Sequence, residues 1–346
     1  LVNVMKLLDR YVSEQIPKLK MVQTKHLEGM FENYSPDEIV NGSGMNSEEL
    51  IQSFRLSLIT ESLTEEYSKT FRIGAKKYSS AWLHRYVAEF WEPDELGHAD
   101  PFKNILVDFG LDQTLLEMEI KDARDQTDYF LRHSSGFHPI SLTTYGMIQE
   151  CITDYWYELQ RGFFPGESNT SKVLSLIKGR EALHTVQFRD LTAIQIENDP
   201  KLIEEVAFAV INFKMPANHI PIVKSIESKT QGWIPKMNGN TTELITRVIA
   251  NIQQSLNDKA MLGRIILQYS SREDKKFFEA IPQNTLIYCL SKVKGGYGLV
   301  GELILEQLGL YGDDSGGNIS TIDNVRYRLK QPIKKWIQNR LEMEGF

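Results

Sequence analysis

Two short stretches of the sequence set a carboxylate and an imidazole three residues apart: Glu95-Leu96-Gly97-His98 and Glu181-Ala182-Leu183-His184. On a helix, residues at that spacing share one face with Cβ atoms about 5–6 Å apart, close enough to grip one metal ion between them. The first pair ends an apolar stripe, His84, Val87, Ala88 and Trp91. The second follows Leu174 and Ile177 and precedes Phe188. Ionisable groups avoid such faces unless they are paired or bind metal. One Glu-x-x-His is an ordinary surface or capping pair. Two of them, 86 residues apart and both on apolar stripes, point to a shared metal site.

A dinuclear carboxylate site in a helical bundle needs one further Glu from each of two other helices. The face Ile51, Phe54, Leu58 runs into Glu61 and Glu65, and both fit by periodicity. Between Tyr145 and Trp156 the acids are Glu150 and Asp154, and both are candidates. The order is then Glu, Glu-x-x-His, Glu, Glu-x-x-His, with 34, 52 and 31 residues between successive elements. Each interval accommodates a helix and a connection. Four carboxylates and two imidazoles form a hard, oxygen-rich donor set that suits iron or manganese rather than zinc in a cysteine site. Two adjacent reduced ions deliver two electrons together to O2, which yields an oxidant strong enough for an unactivated C–H bond. In such a site the metal supplies the hard chemistry while the protein sets position and access.

Helical periodicity dominates the elements that must position these residues. It predicts helices over 3–18, 47–71, 78–107, 111–133, 141–162, 170–198, 201–213, 241–256, 258–269, 284–308 and 321–343. Pro93 falls inside the third and predicts a kink there. Turn-rich stretches occupy 33–46, 162–170 (with Pro165 and Gly166) and 229–240. The expected fold is all-α: a helical bundle with an N-terminal extension over 1–220, and a C-terminal helical extension over 221–346 packed on it.

Composition agrees. Hydrophobic residues make up 41% and charged residues 25%, as in a globular chain. A net charge of -7 argues against a broad nucleic-acid surface. Cys151 and Cys289 stand alone, so no disulfide framework is expected. No apolar run approaches the ~18 residues of a membrane helix. The opening LVNVMKLLDRYV predicts an amphipathic helix and not a secretory leader. A cytoplasmic protein without membrane insertion is the expectation.

Several stretches resemble known motifs. Ile59-Thr60-Glu61 is similar to an Ile-Thr-Glu motif. Trp91-Glu92-Pro93-Asp94-Glu95-Leu96-Gly97-His98-Ala99-Asp100 is similar to Trp-x-x-Glu-Glu-Asn-Arg-His-Gly-Asp. Tyr145 to Thr153 resembles Tyr-Thr-Ser-Phe-Gln-Glu-Arg-Ala-Thr, and Arg180-Glu181-Ala182-Leu183-His184 resembles Asp-Glu-Lys-Arg-His. Met215-Pro216-Ala217 matches a Met-Pro-Ala. In this order, these stretches resemble the soluble acyl-[acyl-carrier-protein] desaturases, a ferritin-like family of di-iron carboxylate proteins. The likeness runs over 50–220 and does not extend into 229–346.

The resemblance selects Glu61 over Glu65 and implies six metal ligands: Glu61, Glu95, His98, Glu150, Glu181 and His184. Glu95 and Glu181 would bridge the ions. Thr153 would stand beside the metals and handle protons during O2 activation, and Trp91 and Asp100 would support the ligands. The implied cofactor is two iron ions, with manganese as the alternative. The implied activity is O2-dependent desaturation of a fatty acyl chain on acyl-carrier protein, with an electron donor such as ferredoxin, by a homodimer. Relatives with the same bundle hydroxylate, oxidise amines or cleave C–C bonds of small acids. A ferritin-like metal store is the non-enzymatic alternative. The chain departs from the pattern at Arg180, where the family has an acid, at Pro93, and at Leu96 and Gly97, which replace polar residues. An acidic carrier calls for a basic docking face, with Lys214, Lys224, Lys229, Lys236, Arg247 and Arg264 as candidates. Met147, Phe188, Cys151, Tyr145, Tyr155, Trp156 and Tyr157 read as core, and His84 as a structural histidine.

Overall fold

A computed structural model describes residues 2–18, 47–126, 135–215 and 236–256, together with 335, 338–340, 342 and 343. The segment 33–46, the helices expected over 258–269 and 284–308, Cys289, Lys224, Lys229 and Arg264 lie outside the described residues, as does most of 321–343. The described chain is all-α, with no strand among the described residues. In chain order its helices are α1 (Val2–Arg10), α2 (Ser47–Glu61), α3 (Thr64–Lys77), α4 (Ala81–Tyr86), α5 (Glu92–Glu95), α6 (Ala99–Asp108), α7 (Gln113–Gln126), α8 (Pro139–Arg161), α9 (Asn169–Asn198), α10 (Ile203–Ile211) and α11 (Thr241–Ser255). No described helix is long and apolar enough to cross a membrane.

The two longest helices, α8 and α9, pack against each other along most of their length and form the spine of the bundle. Both begin on strong sequence signals. His138 caps α8 by accepting from the Ile140 amide (3.3 Å), and Pro139 occupies the first turn, where a missing N–H costs nothing. Ser168 caps α9 by accepting from the Ser171 amide (3.1 Å). Helix α8 is buried on nearly every face, because α3, α9, α10 and α11 all pack on it. Helix α11 contributes Leu244, Ile245, Val248 and Ile252 to the core and packs on α8 and α9.

Two expected helices are each broken into pieces. The stretch 47–71 divides at Ser62–Leu63 into α2 and α3. The cause is a run of hydroxyls that capture backbone carbonyls: Thr60 donates to Leu56, Ser62 to Leu58 and Thr64 to Glu61. Such local bonds compete with a regular ladder, and the Leu63 amide turns back to the Thr60 carbonyl in a tighter turn. The stretch 78–107 divides further. After α4 the chain makes a π-helical turn over Val87–Trp91, then α5, then a break at Leu96–His98 before α6. Pro93 lies in the first turn of α5 and has no N–H to return to the Glu89 carbonyl, so the wide turn before it absorbs the defect. The kink expected at Pro93 is thus spread over Val87 to His98.

Close packing of α8 on α9 depends on Gly146. A Cβ there would lie 2.7 Å from the Phe188 ring. That ring cannot retreat, since Phe71, Tyr86 and Trp91 stand around it at centroid distances of 5.8, 5.2 and 6.1 Å. Gly146→Ala is expected to lower stability by about 1–3 kcal/mol despite the better helix propensity of alanine. Chemical denaturation reads this directly, and an unchanged or raised midpoint would contradict the packing.

Candidate metal centre

The six residues expected to ligate come together in the interior. Glu61 ends α2, Glu95 ends α5, His98 lies in the break that follows, Glu150 is mid-way along α8, and Glu181 and His184 lie on α9. All are buried, with exposures of 1–8%. Their donor atoms form two overlapping groups, Glu61, Glu95, His98, Glu181 and Glu95, Glu150, Glu181, His184, each with its atoms within 4.8 Å of one another. Glu95 and Glu181 belong to both. His98 Nδ1 lies 2.8 Å from Glu181 Oε1, 3.5 Å from Glu95 and 3.7 Å from Glu61. His184 Nδ1 lies 2.5 Å from Glu95 Oε1 and 3.9 Å from Glu150. The two imidazoles face one another with ring centroids 6.0 Å apart and planes 20° from parallel.

Neighbouring side chains hold these groups in place. The Trp91 indole donates to Glu150 Oε1 at 3.1 Å, and the Tyr157 hydroxyl donates to Glu61. Asp94 accepts from the outer nitrogen of His184, Nε2, at 2.9 Å and also receives the Arg180 guanidinium, whose Nε is 2.7 Å away. Trp91 is itself wedged between Phe71 and Phe188. The π-helical turn delivers it there, since the wider turn rotates Trp91 and Glu95 relative to the residues before them.

Burial governs the charge of the centre. It pushes the Glu61 carboxyl up to about 8, against the lowering bond from Tyr157, and Glu95 up to about 7, with the neighbouring Glu150 adding to the rise. Glu181 is raised well above the usual carboxylate range by burial and then by Glu95 and Glu150. Glu150 stays below its ordinary value despite burial, because the neighbouring Glu181 carboxyl, the nearby His184 and the Trp91 indole N–H all favour its charged form. Burial lowers His98. Burial also opposes the charged form of His184, but the carboxylates of Glu95, Asp94 and Glu150 prevail and raise it.

The donor set fits metal. Among the described residues, Glu95 Oε1, Glu181 Oε1, His98 Nδ1 and His184 Nδ1 are buried and lack a hydrogen-bond partner, although they crowd together. Buried polar atoms are rarely left so. Unpartnered atoms also occur elsewhere among the described residues, on Thr70, Thr144 and Thr170 for example, but these four converge on one another, as ligands arranged around a cation do. Carboxylate and imidazole donors of this kind suit a divalent metal ion.

Comparison with protein-family models, curated proteins and solved structures returned no match. The centre therefore rests on its own geometry.

The remaining sequence candidates fall elsewhere. Glu65 is exposed. Asp154 lies 3.5 Å from Lys178 and 3.9 Å from Arg247, outside the cluster. Thr153 is half-buried and donates to the Gln149 carbonyl of its own helix at 3.0 Å, so its hydroxyl is directed along α8. Asp100 is exposed and 3.7 Å from Lys103, which corrects its expected support of the ligands. His84 is exposed too, because the π-helical turn takes it off the stripe that Trp91 and Glu95 follow. Cys151 is buried as expected, its thiol pushed up to about 12 by burial. Of the docking candidates, Lys236 pairs with Glu49 and Arg247 with Glu158 and Glu243. Sequence reasoning missed Asp94 and placed Tyr157 with the core. The signal for Asp94 was Arg180, a cation on a buried face that needs an acid partner.

The raised carboxyls make metal uptake pH-dependent. Below about pH 7–8, the metal-free fold holds protons that an ion must displace. The neutral form of a carboxyl raised by burial stabilises the fold fully at low pH, and that contribution is lost as pH rises through 7–8. Metal replaces those protons. The rise in thermal midpoint on adding Mn(II) is therefore expected to grow between about pH 6 and about pH 8. Equal rises at both ends of that range would contradict the assignment.

Proposed function

We propose that this chain is a ferritin-like di-iron protein that uses O2 to oxidise an unactivated C–H bond, desaturating a fatty acyl chain carried on acyl-carrier protein. The observation that supports this reading best is the sharing of Glu95 and Glu181 between two donor groups, a pattern suited to a pair of ions bridged by carboxylates. A bound pair of reduced iron ions would supply two electrons to O2 at one place.

The chain's own residues account for position and shielding. Trp91 and Tyr157 each donate to one terminal carboxylate, Glu150 and Glu61, and so fix which oxygen faces inward. Asp94 holds the proton on His184 Nε2, which leaves Nδ1 free to ligate. Burial of all six ligands keeps water from the centre, as a site that makes a strong oxidant requires. Electrons would come from a donor such as ferredoxin.

One observation favours a second reading, a di-iron or Mn/Fe oxygenase that hydroxylates, N-oxygenates or cleaves a small acid or amine. Lys236 and Arg247, two of the cations expected to meet an acidic carrier, are engaged in ion pairs within the chain. The deciding experiment is aerobic turnover of the Fe(II)-loaded protein, with a ferredoxin and its reductase, against acyl-carrier-protein and small-acid panels. A product lighter by two hydrogens marks desaturation, and one heavier by an oxygen atom marks hydroxylation. Failure to consume any acyl-carrier-protein substrate while small acids react would replace the first reading with the second.

Metal content tests the centre separately. E95A and E181A remove a shared ligand and are expected to lose both ions. E61A and E150A each remove an unshared ligand and are expected to keep one. Full iron content in all four variants would refute the ligand assignment.

A further inference from the structure

The two Glu-x-x-His stretches are matched in spacing, but the residue before each Glu differs in sign: Asp94 precedes Glu95, and Arg180 precedes Glu181. Asp94 does not serve the histidine of its own stretch. It reaches across to His184 of the other, accepting from Nε2 at 2.9 Å. By the matched spacing of the two stretches, the position reciprocal to Asp94 is 180, where an acceptor would be the counterpart for His98. Arginine has none. Its guanidinium instead turns to Asp94, and the outer nitrogen of His98, Nε2, is buried without a hydrogen-bond partner among the described residues.

The consequence for ligation follows from tautomers. A neutral imidazole carries its proton on one nitrogen and ligates through the other, and a hydrogen bond at the outer nitrogen decides which. Asp94 fixes the His184 proton on Nε2, presents the Nδ1 lone pair to the centre and makes it more basic. His98 has no such anchor. From outside the cluster the unshared carboxylates are supported alike, since Glu150 and Glu61 each receive one such donor, Trp91 and Tyr157 respectively.

We propose that the two metal positions are unequal: the one formed with Glu150 and His184 binds first and tightly, the one formed with Glu61 and His98 second and weakly, and the Arg180–Asp94 pair is the positioning device that sets this order. The inference rests on the dinuclear reading above. Loss of an outer-sphere partner of a ligating histidine typically changes metal affinity 10–100-fold, and that is the separation expected between the two steps.

The test is an anaerobic Mn(II) titration of the metal-stripped full chain, followed by calorimetry and electron paramagnetic resonance. Wild type is expected to take up Mn(II) in two steps at least about tenfold apart. At one equivalent it should show the hyperfine-split signal of an isolated ion, and at two equivalents the broadened signal of a coupled pair. H98A is expected to keep the tight step and the isolated-ion signal, and H184A to lose them. R180D supplies His98 with the acceptor it lacks and is expected to tighten the second step about tenfold, a gain that a merely structural role for Arg180 would not produce. Should R180D not fold, the wild-type, H98A and H184A titrations decide alone. Two equal steps in wild type, or a tight step that survives in H184A but not in H98A, would overturn the ordering while leaving the centre intact. Absence of any Mn(II) binding would overturn the centre itself, and ordered binding without turnover would overturn only the proposed activity.

Discussion

Four carboxylates meet in the interior of a helical bundle, and the structure around them is arranged to tolerate that. Their donor atoms lie within 4.8 Å of neighbours in each group. Two full charges at that separation repel by on the order of 3–4 kcal/mol at an effective dielectric of about 20, and each also loses hydration. The chain answers in part by leaving protons on Glu61, Glu95 and Glu181 and in part by aiming donors at Glu150. Neither device satisfies the inward-facing atoms of Glu95, Glu181, His98 and His184. A cation among them would meet both demands at once, and for this reason the cluster reads as a metal centre rather than a buried ion-pair network.

The walls of the centre differ in regularity. Glu150, Glu181 and His184 stand on α8 and α9, the two long, well-capped helices that form the spine. Glu61, Glu95 and His98 all stand at helix ends or breaks: the close of α2, the close of α5 and the break that follows it. The irregular wall arises from local chemistry in each case, hydroxyls bonding to carbonyls after Thr60 and a missing amide at Pro93. Three of the six clustered residues thus come from a stiff frame and three from segments whose backbone has left the regular ladder.

The candidate ligands were legible because type and spacing both carried information. A Glu-x-x-His on an apolar stripe is costly unless used, and a second copy with an acid-bearing helix before each pointed to a shared site; spacing left Glu61 against Glu65 and Glu150 against Asp154 open, and the family resemblance chose between them. The long helices α8 and α9 were equally plain, their ends marked by His138-Pro139, Gly162 and Ser168. What periodicity concealed was every departure from 3.6 residues per turn. Assuming a continuous helix from 78 to 107 put His84 on the ligand stripe, and the π-helical turn undoes that; Asp100, given a supporting role by the resemblance alone, lies past the break at Leu96–His98 and is exposed. Tyr157 was read as core because an aromatic residue in a bundle usually is, and only the three-dimensional contact reveals its hydroxyl on Glu61. Asp94 could not be singled out by position, since its partners are 86 and 90 residues away.

That long-range partnership also bears on how the centre is assembled. Arg180 is 3% exposed, and a guanidinium buried so deeply is tolerated only with a hydrogen-bonded counter-charge. Asp94 provides it with a fork of two contacts and remains ionised, because His184 and Arg180 outweigh the cost of burial. The pair joins the residues that immediately precede the two shared glutamates, so it fixes Glu95 relative to Glu181 without any ion between them. Trp91 on Glu150 and Tyr157 on Glu61 act likewise for the other two carboxylates. Each of the four clustered carboxylates is therefore tied, directly or through its neighbour in sequence, by a contact internal to the chain. An ion entering such a centre would displace protons but would not have to gather its ligands, which would remove much of the ordering cost that a metal otherwise bears when it binds.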